Sequence, residues 1–210
     1  MKNQISKLFA IALLLALVPL SVSIVYAGSD DNDHGHHGHH APPPIAGVDK
    51  YKYKVGDRGP GGGFIFYVDY YDQYRGFTYL EAAPTDIARV VWCDKTTTSI
   101  PAVAGWSAKG VGKGQVNTTA MLGVCTSGAA KEADLYLTST KSDWFLPSLG
   151  EAKLMYDNLI EAGVGGFASN FYWSSTEFAS DNAWIQVFDD GLQTIDTKVI
   201  ALPVRAVRAF

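Results

Sequence analysis

A helix-start signal between strand-like segments constrains the fold of this chain more than any other feature. Ser148-Leu-Gly-Glu151 has the spacing of a capping box, in which the serine hydroxyl and the glutamate carboxylate each accept a hydrogen bond from the other residue's backbone N–H. Residues that suit one buried helix face then recur at helical spacing: Ala152, Met155, Tyr156 and Leu159. We expect this helix to end at Gly163.

Segments with the pattern of strands surround this helix. Apolar or alternating runs predict strands at residues 50–55, 64–68, 77–83, 90–92, 171–176, 183–188, 192–197 and 203–210. Helical character recurs at residues 116–122 and 129–137, whereas residues 93–114 have the composition of a long surface loop. We therefore predict an α+β fold, a compact and mostly antiparallel sheet with two or three helices. The long loop and the capped helix in mid-chain exclude an outer-membrane barrel.

The N-terminal residues have the parts of a secretory signal peptide. Lys2 and Lys7 supply positive charge, an apolar run covers residues 8–20, and Val25-Tyr-Ala27 fits a cleavage site. We expect cleavage after Ala27 and export of the protein, so that it is secreted, at the cell surface or in the periplasm. The apolar run is shorter than the roughly 20 residues of a membrane-spanning helix, so we expect no transmembrane span in the mature chain.

A histidine-rich linker follows at residues 28–47, and a single domain is expected at residues 48–210. The linker contains almost no apolar side chains and ends in Ala41-Pro-Pro-Pro44, so it is predicted to be disordered. It holds all the histidines of the chain: His34, His36, His37, His39 and His40. Imidazoles this close together can bind Zn²⁺, Cu²⁺ or Ni²⁺ weakly. A solvated linker without a metal is the alternative, and the sequence leaves both open.

Two cysteines, Cys93 and Cys125, are the only ones in the chain. In an exported protein an even, small number of cysteines predicts a disulfide. In the chain-entropy model, closing a loop of this length stabilises the fold by about 3–4 kcal/mol. A reactive pair is the alternative.

The composition argues against catalysis and against nucleic acid as a partner. All histidines lie in the linker, so the domain cannot form a Ser-His-Asp or Cys-His arrangement. The adjacent carboxylates Asp189 and Asp190 lie in a predicted hairpin turn rather than facing each other. The formal net charge of −4 is unlike that of a phosphate-binding protein. We therefore expect no enzyme and no cofactor, with Ca²⁺ dependence left open.

The last third of the chain combines large aromatic residues with carboxylate, amide, hydroxyl and guanidinium groups. An aromatic face beside such polar groups suits a sugar, whose C–H face stacks on the ring while its hydroxyls form hydrogen bonds. The candidate ligand-binding residues are Trp144, Tyr172, Trp173, Ser174, Ser175, Glu177, Asn182, Trp184, Gln186 and Arg205. The alternative is structural: the polar residues satisfy a tight corner, and Arg205 or Arg208 pairs with Glu177 or Asp143.

Ordered motifs across residues 51–210 resemble a bacterial extracellular domain family. They are Gly56-Asp57, Gly62-Gly-Phe-Ile-Phe-Tyr-Val-Asp69, Tyr79-Leu-Glu-Ala-Ala-Pro84, Gly112-Lys-Gly-Gln-Val-Asn-Thr118, Asp143-Trp-Phe-Leu-Pro-Ser148 with Glu151, Leu154 and Tyr156, Tyr172-Trp-Ser-Ser-Thr-Glu177, Ala183-Trp184 and Val204-Arg-Ala-Val-Arg208. The domain is similar to the C-terminal domain of the Legionella collagen-like adhesin. It also resembles the wider C-type-lectin-like and formylglycine-generating-enzyme-like folds. The resemblance implies a C-type-lectin-like fold and a surface-exposed binding module.

Together these observations predict an exported, non-catalytic binding module that recognises a carbohydrate or another surface ligand in adhesion. The expected partner is a glycan or surface polymer. The alternative is a self-assembling or envelope-associated structural protein that makes protein–protein contacts as a homo-oligomer, with weak metal binding by the histidine-rich linker.

Overall fold

The computed structural model describes residues 51–168 and 170–210. The predicted signal peptide, the linker with its five histidines and the expected domain start at Val48 lie outside these residues. Within the described ranges, no helix is long and apolar enough to cross a membrane.

The described residues form an α+β fold with antiparallel sheets, which confirms the predicted fold class. The strands are β1 (Phe64–Val68), β2 (Tyr79–Ala82), β3 (Ala88–Val90), β4 (Phe171–Glu177), β5 (Asn182–Val187), β6 (Gln193–Thr197), β7 (Leu202–Val204) and β8 (Val207–Ala209). The helices are α1 (Gly114–Leu122), α2 (Ala129–Leu135) and α3 (Leu149–Met155). Short 3-10 turns lie at Pro101–Val103 and Trp106–Ala108, and a π-helical turn at Tyr156–Ile160 continues α3.

The strands form three small antiparallel sheets rather than one continuous sheet. Their strand orders are β1-β2-β8, β3-β7 and β4-β5-β6. The sequence suggested one final strand at residues 203–210. The chain instead forms two short strands there, because β7 pairs with β3 whereas β8 pairs with β2. Arg205 and Ala206, between these strands, are both buried, so the chain changes sheets inside the protein.

The first described residues, 51–55, are also not in a strand, although their alternating pattern suggested one. The ring of Tyr53 packs edge-on against the rings of Tyr79 and Phe210, at centroid distances of 5.3 and 6.0 Å. The alternation therefore reflects tyrosines packed on the β1-β2-β8 sheet and lysines in solvent, without a strand partner for the backbone.

Two buried clusters form the core. The first surrounds Trp92, Trp173 and the Cys93–Cys125 pair, and the second surrounds Phe66 and Tyr172. The predicted disulfide is present, with a Cα–Cα distance of 5.4 Å. It joins the loop after β3 to the segment between α1 and α2.

The predicted capping box is present at the start of α3. The Glu151 N–H donates to Ser148 Oγ at 3.2 Å, and the Ser148 N–H donates to Glu151 Oε2 at 2.8 Å. Glu151 also accepts from the N–H groups of Gly112 and Gly114, and its side chain is fully buried. Gly163, the expected end of the helix, has a φ of 66°. The local signal at residues 148–151 therefore also positions the loop before α1.

Folding stability should decrease as the pH rises from about 5 to 7, because Glu151 is buried. Burial raises its pKa to about 7, against the opposing effect of the N–H groups of Ser148, Gly114 and Gly112. A carboxyl whose pKa is higher in the folded than in the unfolded state stabilises fully below the unfolded pKa of 4.5, and this stability is lost as the pH rises through about 7. Urea denaturation at pH 5 and pH 7.5 measures the difference.

Glu151→Gln is the matched control, because glutamine has the shape of the protonated acid and does not ionise. We expect its unfolding free energy to change much less than that of the wild type between these two pH values. Equal pH dependence in both proteins would contradict the assignment to Glu151.

Candidate functional site

Most of the side chains that the sequence suggested as ligand contacts lie in the interior. Eight of them are at most 3% exposed: Trp144, Tyr172, Trp173, Ser174, Ser175, Glu177, Gln186 and Arg205. The remaining two, Asn182 and Trp184, lie on β5 and reach the surface. The buried eight offer almost no surface to a ligand as packed, so their role as ligand contacts stays a prediction from the sequence.

The serines of β4 hydrogen-bond to neighbouring elements. The Ser174 hydroxyl donates to the backbone oxygen of Trp184 at 2.7 Å. The Ser175 hydroxyl oxygen accepts from the side-chain amide of Asn117 at 3.1 Å. Because buried polar groups require partners, these serines connect β4 to β5 and to α1.

Glu177, at the end of β4, forms a buried ion pair with Lys198. The ammonium lies 2.5 Å from Glu177 Oε1, and the two side chains are 1% and 0% exposed. Lys198 also donates to the backbone oxygens of Thr98 and Ser180 at 3.0 and 2.7 Å, and Glu177 accepts from the N–H of Ile100. All three ammonium protons therefore have acceptors. The partner of Glu177 is this lysine and neither of the arginines that the sequence suggested.

Two arginines of the closing segment also form ion pairs. Arg205 contacts Asp86 through Nε and Nη2, at 2.9 and 2.7 Å. Arg208 binds Asp143 at 2.9 and 2.8 Å and Glu81 at 3.1 Å. The hydrogen bonds from Arg208 hold the pKa of Asp143 below its ordinary value. The predicted pairing of an arginine with Asp143 is thus present, and both guanidinium groups connect distant parts of the fold.

The remaining buried candidates also have structural contacts. The indole N–H of Trp173 donates to the backbone oxygen of Val90 at 2.9 Å. The side-chain amide of Gln186 donates to the backbone oxygen of Leu192 at 3.2 Å, across the β5–β6 turn. Trp144 packs in the first core cluster. Trp173 therefore connects β4 to β3, and Gln186 connects β5 to the turn before β6.

Three aromatic residues and a lysine, each at least partly exposed, form a group at the sheet β4-β5-β6. It consists of Trp106, Lys109, Phe178 and Trp184, and we call it the aromatic surface. Trp106 is 87% exposed and Phe178 is 52% exposed. The Lys109 ammonium lies 4.5 Å from the ring centroid of Trp106 and 3.7 Å from that of Trp184. The rings of Phe178 and Trp184 meet edge to face at 5.5 Å. The four side chains therefore contact one another in the order Trp106, Lys109, Trp184 and Phe178.

The strand register of β5 explains why Trp184 reaches solvent. Its neighbours Ala183 and Ile185 are buried, so the alternation of side chains along the strand places Trp184 on the opposite face. There it stands opposite Ile195 of β6, which is 37% exposed. The turn Trp106–Ala108 adds the second indole from a distant segment.

Sequence reasoning missed three members of the aromatic surface. Trp106 and Lys109 lie in the segment interpreted as a surface loop, and Phe178 lies in the turn after β4. One signal was available: Trp106 is a large aromatic residue in a segment that is otherwise rich in Gly, Ser and Thr.

The described residues contain one group of cysteine and acidic side chains close enough to hold a metal: Cys93, Asp94 and Cys125. Both sulfur atoms are in the disulfide. Asp94 accepts hydrogen bonds from the N–H and the hydroxyl of Thr126, both at 2.8 Å. The group is thus a disulfide with an adjacent hydrogen-bonded carboxylate.

No protein-family model and no curated protein matches the sequence. Among solved structures, the chain is similar to a fimbrial protein from Bacteroides ovatus ATCC 8483, with a TM-score of 0.43 and 14% sequence identity. The match covers 70% of this chain and 44% of the fimbrial protein, so the chain spans less than half the length of that protein. At this TM-score and identity, the similarity carries no argument about function. The resemblance to the adhesin domain family stays a prediction from the sequence.

Proposed function

We propose that this protein is an exported, non-catalytic carbohydrate-binding module that binds its ligand on the aromatic surface. The observation that carries the proposal is the pair of indoles, Trp106 and Trp184, on either side of the Lys109 ammonium. A soluble domain has little reason to leave a tryptophan 87% exposed, and exposed aromatic groups of this kind are typical of binding sites.

The chemistry of the aromatic surface suits a sugar. The C–H face of a sugar ring can stack on an indole, and this geometry needs no large conformational change in the protein. Within the described residues, Lys109 has no carboxylate partner, so its N–H groups can donate to ligand hydroxyls. Asn182, two residues before Trp184 on β5, places an amide on the same face of the strand.

The predicted signal peptide and the disulfide support export, because disulfides persist in oxidising compartments. The resemblance to the adhesin domain family supports a role at the cell surface, and we propose a C-type-lectin-like fold on the same ground. The acidic net charge of −4 favours an uncharged glycan over a sulfated one.

Trp106→Ala should weaken glycan binding by about tenfold or more, which corresponds to about 1.4 kcal/mol. The side chain is exposed, so we expect the unfolding free energy to stay within about 0.5 kcal/mol of the wild type. The measurement is a broad glycan array with the exported protein, in Ca²⁺ and in chelator, followed by titration calorimetry on any ligand found.

Tyr71→Ala is the matched control, because it removes another exposed aromatic side chain, 69% exposed, outside the aromatic surface. Its binding should equal that of the wild type. A blank array with folded protein would refute carbohydrate binding. Binding that survives Trp106→Ala and Trp184→Ala would place the site elsewhere.

A further inference from the structure

A second surface, separate from the aromatic surface, has the form of an open groove. It has a volume of about 650 Å³ and lies at the β5–β6 end of the sheet β4-β5-β6. Its apolar walls include Phe171, which is 44% exposed, and Leu192, which is 63% exposed. A groove of this volume is within the range of sites that hold ligands or peptide segments, and its exposed apolar walls are unusual for a free surface.

Two carboxylates, Asp189 and Asp190, line the same groove. Asp190 accepts a hydrogen bond from the Leu192 N–H at 3.0 Å, as a turn residue does. In residues 51–168 and 170–210, neither aspartate forms an ion pair with a cation. The groove is therefore apolar and negatively charged, so its complement is a segment that carries cations beside aromatic groups.

The chain itself presents such a segment at its first described residues. Lys52 and Lys54 are exposed and flank Tyr53, whose ring packs on Tyr79. Neither lysine has a carboxylate within ion-pair distance among the described residues. The adjacent carboxylate, Asp57, accepts from the backbone N–H of Lys54 at 2.9 Å. The segment is thus anchored by its tyrosine and positively charged on its exposed side.

We propose that the groove of one molecule binds the segment with Lys52 and Lys54 of a second copy. Charge complementarity supports this occupant, since among the described residues neither Asp189 nor Asp190 forms an ion pair with a cation, and neither lysine ammonium forms one with a carboxylate. The groove and the segment share no residue, so the contact joins different surfaces of the two molecules. In a pair, one molecule keeps its segment free and the other keeps its groove free, so repetition of the contact extends the assembly head to tail.

The contact uses neither Trp106 nor Trp184, so self-association and glycan binding are independent and can be tested separately. Sedimentation velocity of the exported protein, over rising concentration in about 50 mM salt, measures the association. We expect the mass of the wild type to rise with concentration, and the association to weaken in 0.5 M salt because the charges are screened.

Charge reversal on each side tests the contact directly. The groove variant carries Asp189→Lys and Asp190→Lys, and the segment variant carries Lys52→Glu and Lys54→Glu. Each variant alone should associate at least tenfold more weakly than the wild type, because like charges meet. A mixture of the two should associate again, because the unchanged segment of the groove variant meets the unchanged groove of the segment variant.

The control carries Lys113→Glu and Lys131→Glu, which make the same charge change as the segment variant outside the groove and the segment. Lys113 is exposed, and Lys131 is partly exposed and paired with Asp134. It should assemble like the wild type.

Asp189→Lys alone leaves the turn hydrogen bond of Asp190 intact and keeps the test valid if the double groove variant unfolds. A wild type that stays monomeric at every concentration, association that survives either reversal, or a mixture of folded variants that stays monomeric would each overturn the proposal.

Discussion

Lys198→Met should lower the unfolding free energy by about 3–5 kcal/mol, because it leaves a buried carboxylate without its counter-charge. Glu177 is 1% exposed, and Lys198 is its cationic partner in the described part of the chain. Methionine fills a similar volume, so the loss reports the charge and its hydrogen bonds rather than a cavity. Urea denaturation of the wild type and the variant measures it.

The double variant Lys198→Met with Glu177→Gln is the test of this cause. Removing the negative charge as well should recover part of the lost stability, since a neutral amide costs less to bury than an unpaired carboxylate. Lys153→Met is the matched control on a partly exposed pair, with Asp157 one helical turn away, and should cost only about 0.2–0.5 kcal/mol. Equal losses in the two lysine variants would show that burial of the pair has little effect on stability.

Trp173→Ala should destabilise the protein by about 3–5 kcal/mol through loss of a buried indole and the cavity that remains. The side chain is 0% exposed, lies in the first core cluster and donates its N–H to Val90. The sequence suggested this tryptophan as a ligand contact, for which alanine would impair binding in a folded protein. The structure instead leads us to expect a large loss of stability, which thermal and urea denaturation can measure.

Comparison with Trp106→Ala separates these two effects. The same substitution at an exposed tryptophan should leave the unfolding free energy nearly unchanged while it weakens glycan binding. A Trp173→Ala protein as stable as the wild type would contradict the packing at this position. Glycan binding is interpretable for Trp173→Ala only where denaturation shows a folded population.

The fold class and most elements were predictable because their signals are local. The apolar run at residues 64–68 coincides with β1, and the capping box starts α3 at Leu149. Such signals act within a few residues, so one sequence contains them completely. Strand pairing was less predictable, because β7 and β8 join different sheets through contacts with β3 and β2, far away in the chain.

The candidate site was harder to predict, because an aromatic or polar residue has the same letter whether it is buried or exposed. Tyr172 and Trp173 are adjacent on β4, and both are buried, since helix and core elements cover the two faces of the strand there. The alternation of side chains along a strand, taken alone, would have placed either Tyr172 or Trp173 in solvent. Trp184, on the next strand, reaches the surface because its face of the sheet is covered less completely at that position.

The sequence by itself predicted the α+β class, the capped helix and a disulfide between Cys93 and Cys125. These follow from spacing, local hydrogen bonding and a single possible cysteine pairing. The tertiary structure alone decided that Glu177 is neutralised by Lys198, and that Trp106 joins Trp184 through Lys109. These contacts depend on where separate segments meet after folding, and burial and the distance between charges, rather than residue type, determine what each side chain does.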